Sequence, residues 1–102
     1  MKVCYYITQD KRKPFTEWLD GLRDVRGRGI IRARINRLKL GNFGDCRSVG
    51  DGVYELKIDF GAGYRVYYAM SGKEIVLILC GGTKSTQQAD INKAIEFWTK
   101  RS

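Results

Sequence analysis

The sequence predicts an α+β domain with the element order β-α-α-β-β-β-β-α, its helices packed on one curved, mainly antiparallel sheet. Three observations carry that prediction. Residues 2–8 alternate with the period of a strand, two stretches between 14 and 40 repeat with the period of a helix, and a glycine-punctuated series of strand-like segments precedes a last helical repeat. With 102 residues and 43% hydrophobic content the chain closes one core, so 1–102 reads as a single domain.

In the first strand Val3, Tyr5 and Ile7 fall on one side, and Cys4, Tyr6 and Thr8 on the other. Pro14 suits a first helical position, and Phe15, Trp18, Leu19 and Leu22 follow at i, i+3, i+4 and i+7. A second helix from Arg28 to Leu40 sets Ile31, Ile35 and Leu38 on one face, with Arg28, Arg32 and Lys39 projecting beside them. Gly41 stops it, and Asn42-Phe43-Gly44-Asp45 reads as a loop. An antiparallel meander follows: Cys46 to Val49, Val53 to Phe60, Tyr64 to Met70 and Glu74 to Cys80, with glycine turns at 50–52 and 61–63. The run Ile75-Val76-Leu77-Ile78-Leu79-Cys80 lacks alternation, which predicts a central strand with helices packed on one side. Ser85-Thr86-Gln87-Gln88 resembles a capping box, and Ile91, Ala94, Ile95 and Trp98 continue as a terminal helix.

The formal net charge is +8, and residues 11–40 hold ten of the 19 Lys and Arg against three acids. Such a surplus suits phosphate backbones or an acidic partner protein. No histidine is present, which removes the commonest general base and zinc ligand. Cys4, Cys46 and Cys80 are odd in number with no C-x-x-C, against both a disulfide framework and a zinc knuckle. The N-terminal stretch turns polar at Thr8, so neither a signal peptide nor a membrane span is expected, and the protein reads as cytoplasmic with no membrane partner. Neither a metal nor a small-molecule cofactor is expected.

Alternation in Val53–Phe60 leaves Glu55, Lys57 and Asp59 on the face opposite Tyr54, Leu56 and Ile58. A short turn sets Arg65 and Tyr67 of the next strand beside Glu55 and Lys57. If that face meets RNA, internal cleavage without a metal needs a base for the 2′-hydroxyl, cations for the phosphorane-like transition state and an acid for the 5′-oxygen. Glu55 or Lys57 fits the base, Arg65 and Lys84 the cations, and Tyr67 a base-stacking platform or proton donor. Arg47 is a further RNA contact, and Arg28, Arg32 and Lys39 would position RNA without catalysing. Each also has a plain structural account: a solvated strand face for Glu55 and Lys57, an ion pair for Arg65, packing for Tyr67, and water for Lys84, Arg47 and the helix cations.

Gly81-Gly82-Thr83-Lys84-Ser85-Thr86 follows a strand and opens a helix, but it does not match G-x-x-x-x-G-K-[ST], so nucleotide hydrolysis is not expected. An anion at that helix start is compatible with the motif.

Over nearly its whole length the chain resembles the RelE/HigB superfamily of toxins, in the branch of addiction-module killer proteins or phage-derived Gp49-like proteins. The resemblance lies in Lys13-Pro14-Phe15 with Trp18-Leu19, Leu40 to Asp45, Gly52 to Ile58, Gly63 to Tyr68, and Leu79 to Ser85. It implies a RelE-like fold and a ribosome-dependent endoribonuclease (mRNA interferase) of a type II toxin–antitoxin system, held off by a cognate antitoxin that commonly carries a helix-turn-helix. Family positions for cationic catalysis fall on Lys57, Arg65 and Lys84, with Glu55 where some relatives hold a basic residue. Several relatives place a C-terminal tyrosine or histidine near the reacting phosphate; here the last tyrosine is Tyr68, leaving the general base and acid unassigned. Gln87 and Asp90 fit a pattern of closer relatives, and helix capping accounts for both as well. The alternative is a non-catalytic basic module that binds nucleic acid or an antitoxin.

Overall fold

The computed structural model describes residues 1–101. Strand β1 (Lys2–Tyr5) leads to helices α1 (Pro14–Gly21) and α2 (Val25–Lys39), then to strands β2 (Cys46–Gly50), β3 (Val53–Ile58), β4 (Tyr64–Ser71) and β5 (Ile75–Thr83). A 3₁₀ turn, Lys84–Thr86, opens the last helix, α3 (Gln87–Thr99). The class and the element order are those the sequence predicts.

Local chemistry explains the boundaries. Pro14 occupies the first turn of α1. Helix α2 begins at Val25, earlier than Arg28, because Asp24 caps it: its carboxylate accepts the Gly27 amide at 2.8 Å and the Tyr64 hydroxyl at 2.7 Å. Gly41, at φ +80°, closes α2 by donating its amide to the Leu38 carbonyl. At the start of α3 the reciprocal cap joins Thr83 and Thr86, not the Ser85–Gln88 segment.

The five strands form one open sheet in the order β1-β5-β4-β3-β2. β5 pairs antiparallel with β4 and parallel with β1, so the sheet is mixed and β4, not the Ile75–Cys80 segment, lies at its centre. Helices cover both faces, where the sequence predicted one. Phe15 and Leu19 of α1 and Ile31, Ile35 and Leu38 of α2 pack on Leu56, Ile58, Tyr64, Val66, Tyr68, Val76 and Ile78. On the other face Ile91 and Ala94 of α3 pack on Val53, Tyr67, Ala69, Leu79 and Cys80.

A bulge accounts for the unbroken apolar run. Opposite β5 the register steps from Tyr68↔Ile78 to Tyr67↔Cys80, so Leu79 is the extra residue, and it and Cys80 both pack beneath α3. Beyond the bulge Gly81 lies against Trp18 and Gly82 against Asp90, where side chains would collide: an added Cβ would stand 2.4 Å from the indole and 1.8 Å from the carboxylate. No helix among the described residues is long and apolar enough to cross a membrane.

Candidate anion-binding site

On the α3 side of the sheet, β3 and β4 present a polar patch at the end that the apolar core does not reach. Antiparallel register pairs Glu55 with Tyr67 and Lys57 with Arg65, while β2 sets Arg47 opposite Glu55. With Gln87 from the first turn of α3, Asp45 just before β2 and Cys46 at its start, Arg47, Glu55, Lys57 and Arg65 line a cavity of about 330 Å³, while Tyr67 is buried and bonded to Glu55.

Glu55 organises the patch. Only 2% exposed, its carboxylate accepts from Gln87 Nε2 at 2.8 Å, Arg47 Nε at 3.1 Å and the Tyr67 hydroxyl at 3.1 Å. Burial pushes its pKa up, but the hydrogen bonds from Gln87, Arg47 and Tyr67 more than offset this and leave it below the ordinary carboxylate value. Glu55 is therefore ionised at neutral pH, with both oxygens engaged. The solvated-face account is corrected: α3 covers the residue, and its role is to hold donors, which leaves it poorly suited to take a proton.

Tyr67 is fully buried, and burial, followed by the charge of Glu55, drives its phenol well above the ordinary range. It stays protonated and donates to Glu55. A base-stacking role for Tyr67 is thereby corrected, since its ring has no open face.

Arg65 is 5% exposed. Its Nη1 donates to the Tyr64 carbonyl at 3.2 Å, while its Nε lies 3.8 Å from Glu55 Oε1 and has no hydrogen-bond partner. An unsatisfied buried donor is costly to keep, and Arg65 is held on the cavity wall despite that cost. Lys57 is half-buried, with Asp59 at 3.9 Å as a loose partner, and Arg47 projects from the edge strand. Three cations thus line the cavity with two carboxylates, Glu55 and Asp45, and Glu55 is already saturated.

Lys84 does not line the cavity. It is exposed on the 3₁₀ turn at the adjacent corner, where its Cβ and the Arg65 Nη1 both crowd the α-carbon of Gly63, at 3.2 Å and 3.4 Å from where a Cβ would stand. Arg28, Arg32 and Lys39 belong to α2, on the opposite face of the sheet. Arg28 donates to the Leu22 carbonyl at 2.6 Å, Arg32 lies 3.8 Å from Asp20, and Lys39 is exposed. The structure therefore brings Glu55, Lys57, Arg65, Tyr67 and Arg47 together, sets Lys84 beside them and separates the helix cations from them. Asp90 accepts from Thr86 and packs on Gly82, a cap on the turn.

Sequence reasoning missed Asp45 and Cys46 as lining residues, and Arg34, which donates to the Lys57 carbonyl. The Asp45 carbonyl takes the Lys57 amide at 2.9 Å, a pairing with no sequence signature. Among the described residues no three His, Cys, Asp or Glu side chains gather as a metal site.

Fold and site together define a small basic α+β protein whose mixed sheet, covered on both faces, carries a cationic cavity at one end. Residues 17–98 match the family model described as "Phage derived protein Gp49-like (DUF891)". The chain belongs to this family, one of RelE/HigB-type toxins of toxin–antitoxin systems. It is similar to an uncharacterized protein of Haemophilus influenzae, with 52% identity over 80 residues, covering 78% of this chain and 81% of that protein. No solved structure matches the chain.

Proposed function

We propose that this protein is a ribosome-dependent endoribonuclease on a RelE-like fold, the toxin of a type II pair, which stops translation by cutting messenger RNA. The observation that carries the reading is the cavity wall: Arg65, almost fully buried and so fixed in place, lines it together with Lys57 and Arg47. A scissile phosphate is the ligand that such a set of donors stabilises, most of all as charge builds on its oxygens in the transition state.

In the reaction the 2′-hydroxyl oxygen attacks the neighbouring phosphorus and gives up its proton. The bond from phosphorus to the 5′-oxygen breaks, that oxygen gains a proton, and the strands end in a 2′,3′-cyclic phosphate and a 5′-hydroxyl. Lys57 takes the first proton; Arg65 and Arg47 neutralise the phosphorane oxygens; Lys84 approaches the leaving side from the corner of the site, where water supplies the proton that the 5′-oxygen gains. Glu55, itself held by the Tyr67 hydroxyl, holds the guanidinium groups in place. A cognate antitoxin, expected to carry a helix-turn-helix, meets the basic surface, and the cytoplasm is where message and ribosome are found.

Induced expression tests the reading, with growth followed and RNA 5′-ends sequenced. Growth arrest with new ends inside messages is expected. Unchanged growth and intact messages, together with no cutting of message on translating ribosomes by the purified protein, would end it.

A second reading, a non-catalytic module, is favoured by the position of Arg32 and Lys39 on the sheet face away from the cavity. Binding that survives Arg65→Ala and weakens when the α2 cations are removed would support it.

A further inference from the structure

We infer that Arg34, a helix residue on the far side of the sheet from the cavity, is a positioning residue for Lys57. This inference rests on the ribonuclease reading. Arg34 belongs to α2, yet its Nη1 donates to the Lys57 main-chain carbonyl at 3.1 Å. The Lys57 amide donates to the Asp45 carbonyl at 2.9 Å, so both peptide groups flanking the lysine are fixed at the end of β3. Fixing those two planes fixes the direction of the Lys57 Cα–Cβ bond, and with it the reach of the amine into the cavity.

The cost of the arrangement points to its purpose. Among the described residues two buried side-chain polar atoms lack a hydrogen-bond partner, Arg34 Nη2 and Arg65 Nε. Both arginines adjoin Lys57, one through its carbonyl and the other as its cross-strand partner. Nor does any carboxylate pair with Arg34 among the described residues. Gly44, at φ +63°, leaves room for the guanidinium: a Cβ there would stand 2.8 Å from Nη2. A half-buried cation with no counter-charge is worse for stability than an apolar side chain of similar length. Local conflicts of this kind persist where a site needs them.

Arg34→Met and Arg34→Lys in the full-length protein separate positioning from packing. Arg34→Met is expected to melt at or above the parent temperature, while kcat for RNA cleavage falls by about tenfold or more and KM stays within about twofold, because misplacing a reacting group by a fraction of an ångström acts on the chemical step. Arg34→Lys, which can still reach the carbonyl with one donor, recovers part of kcat. Independently of cleavage, titration with inorganic phosphate followed on the Lys57 side-chain nitrogen by NMR should give a response that shrinks in Arg34→Met. If the parent protein cuts no RNA but this response still depends on Arg34, the ribonuclease reading fails and the positioning role stands. Parent kcat and parent phosphate response in Arg34→Met would overturn the inference, as would a loss of activity that only tracks a loss of stability.

Discussion

Arg65 holds its Nε 3.8 Å from Glu55 Oε1, close enough for an ion pair and too far for a hydrogen bond. The Glu55 oxygens are taken by Arg47, Tyr67 and Gln87, so the carboxylate supplies charge to Arg65 without a hydrogen bond to its Nε. Removing Glu55 would leave the Arg47 guanidinium, a phenol and an amide without their shared acceptor, and Arg65 without its counter-charge. Glu55→Ala should cost about 3–5 kcal/mol in chemical denaturation, the range for breaking a buried ion pair on one side. Glu55→Gln, which keeps the shape, should cost less and still slow cleavage, because it no longer balances Arg47 and Arg65.

Stability should fall in acid for a reason that can be traced to two carboxyls. Asp24 is held below its ordinary value by the Gly27 amide and then the Tyr64 hydroxyl, and Glu55 by the donors that outweigh its burial. A group with a depressed folded pKa binds protons more readily in the unfolded chain; its contribution is complete above the unfolded pKa and is lost as pH falls through the folded one. The melting temperature should therefore hold steady near neutrality and drop below about pH 4.5, where unfolded carboxylates begin to protonate. Asp24→Asn with Glu55→Gln should flatten that drop; an unchanged acid profile in the double variant would contradict it.

Gly81 allows α1 to lie against β5. Trp18 occupies the space of its missing side chain, and an indole cannot bend away as the Asp90 carboxylate beside Gly82 can. Gly81→Ala is expected to destabilise by about 1–3 kcal/mol, the usual cost of overpacking, with a change in Trp18 fluorescence. Gly82→Ala should cost less stability and disturb the Lys84 turn.

The cations on α2 lie on the sheet face away from the cavity, so their effect on RNA should be separable from it. Arg28→Ala, Arg32→Ala and Lys39→Ala combined should weaken RNA affinity and reduce the slope of log affinity against log salt by about 0.7 per lost phosphate contact, without altering kcat on saturating substrate. A fall in kcat with affinity unchanged would place these residues in the chemistry and contradict the geometry.

The alternation of Val53–Phe60 and the short 61–63 turn were enough to bring Glu55 beside Tyr67 and Lys57 beside Arg65, because a tight hairpin leaves little freedom of register. What covers that face was not legible. Alternation assigns a side, but the burial of Glu55 depends on Gln87, 32 residues further on. The parallel pairing of β1 with β5 leaves no local mark in either strand. Without knowledge of the bulge at Leu79, the apolar run gave no sign that α1 and α3 lie on opposite faces. Arg34 was invisible for a simpler reason: in a helix with so many arginines, nothing in the sequence marks the one that turns inward.

Cleavage of message on translating ribosomes by the purified protein, compared with its Lys57→Ala and Arg65→Ala variants, tests the role of the cavity most directly. Lys57 is partly exposed, so its removal should leave the fold intact and guards against misreading a folding defect in Arg65→Ala. The account predicts cut RNA ending in 2′,3′-cyclic phosphate, with each variant slower by about a hundredfold or more and Lys57→Ala retaining the parent melting temperature. Parent-like cleavage by folded Lys57→Ala and Arg65→Ala would contradict it.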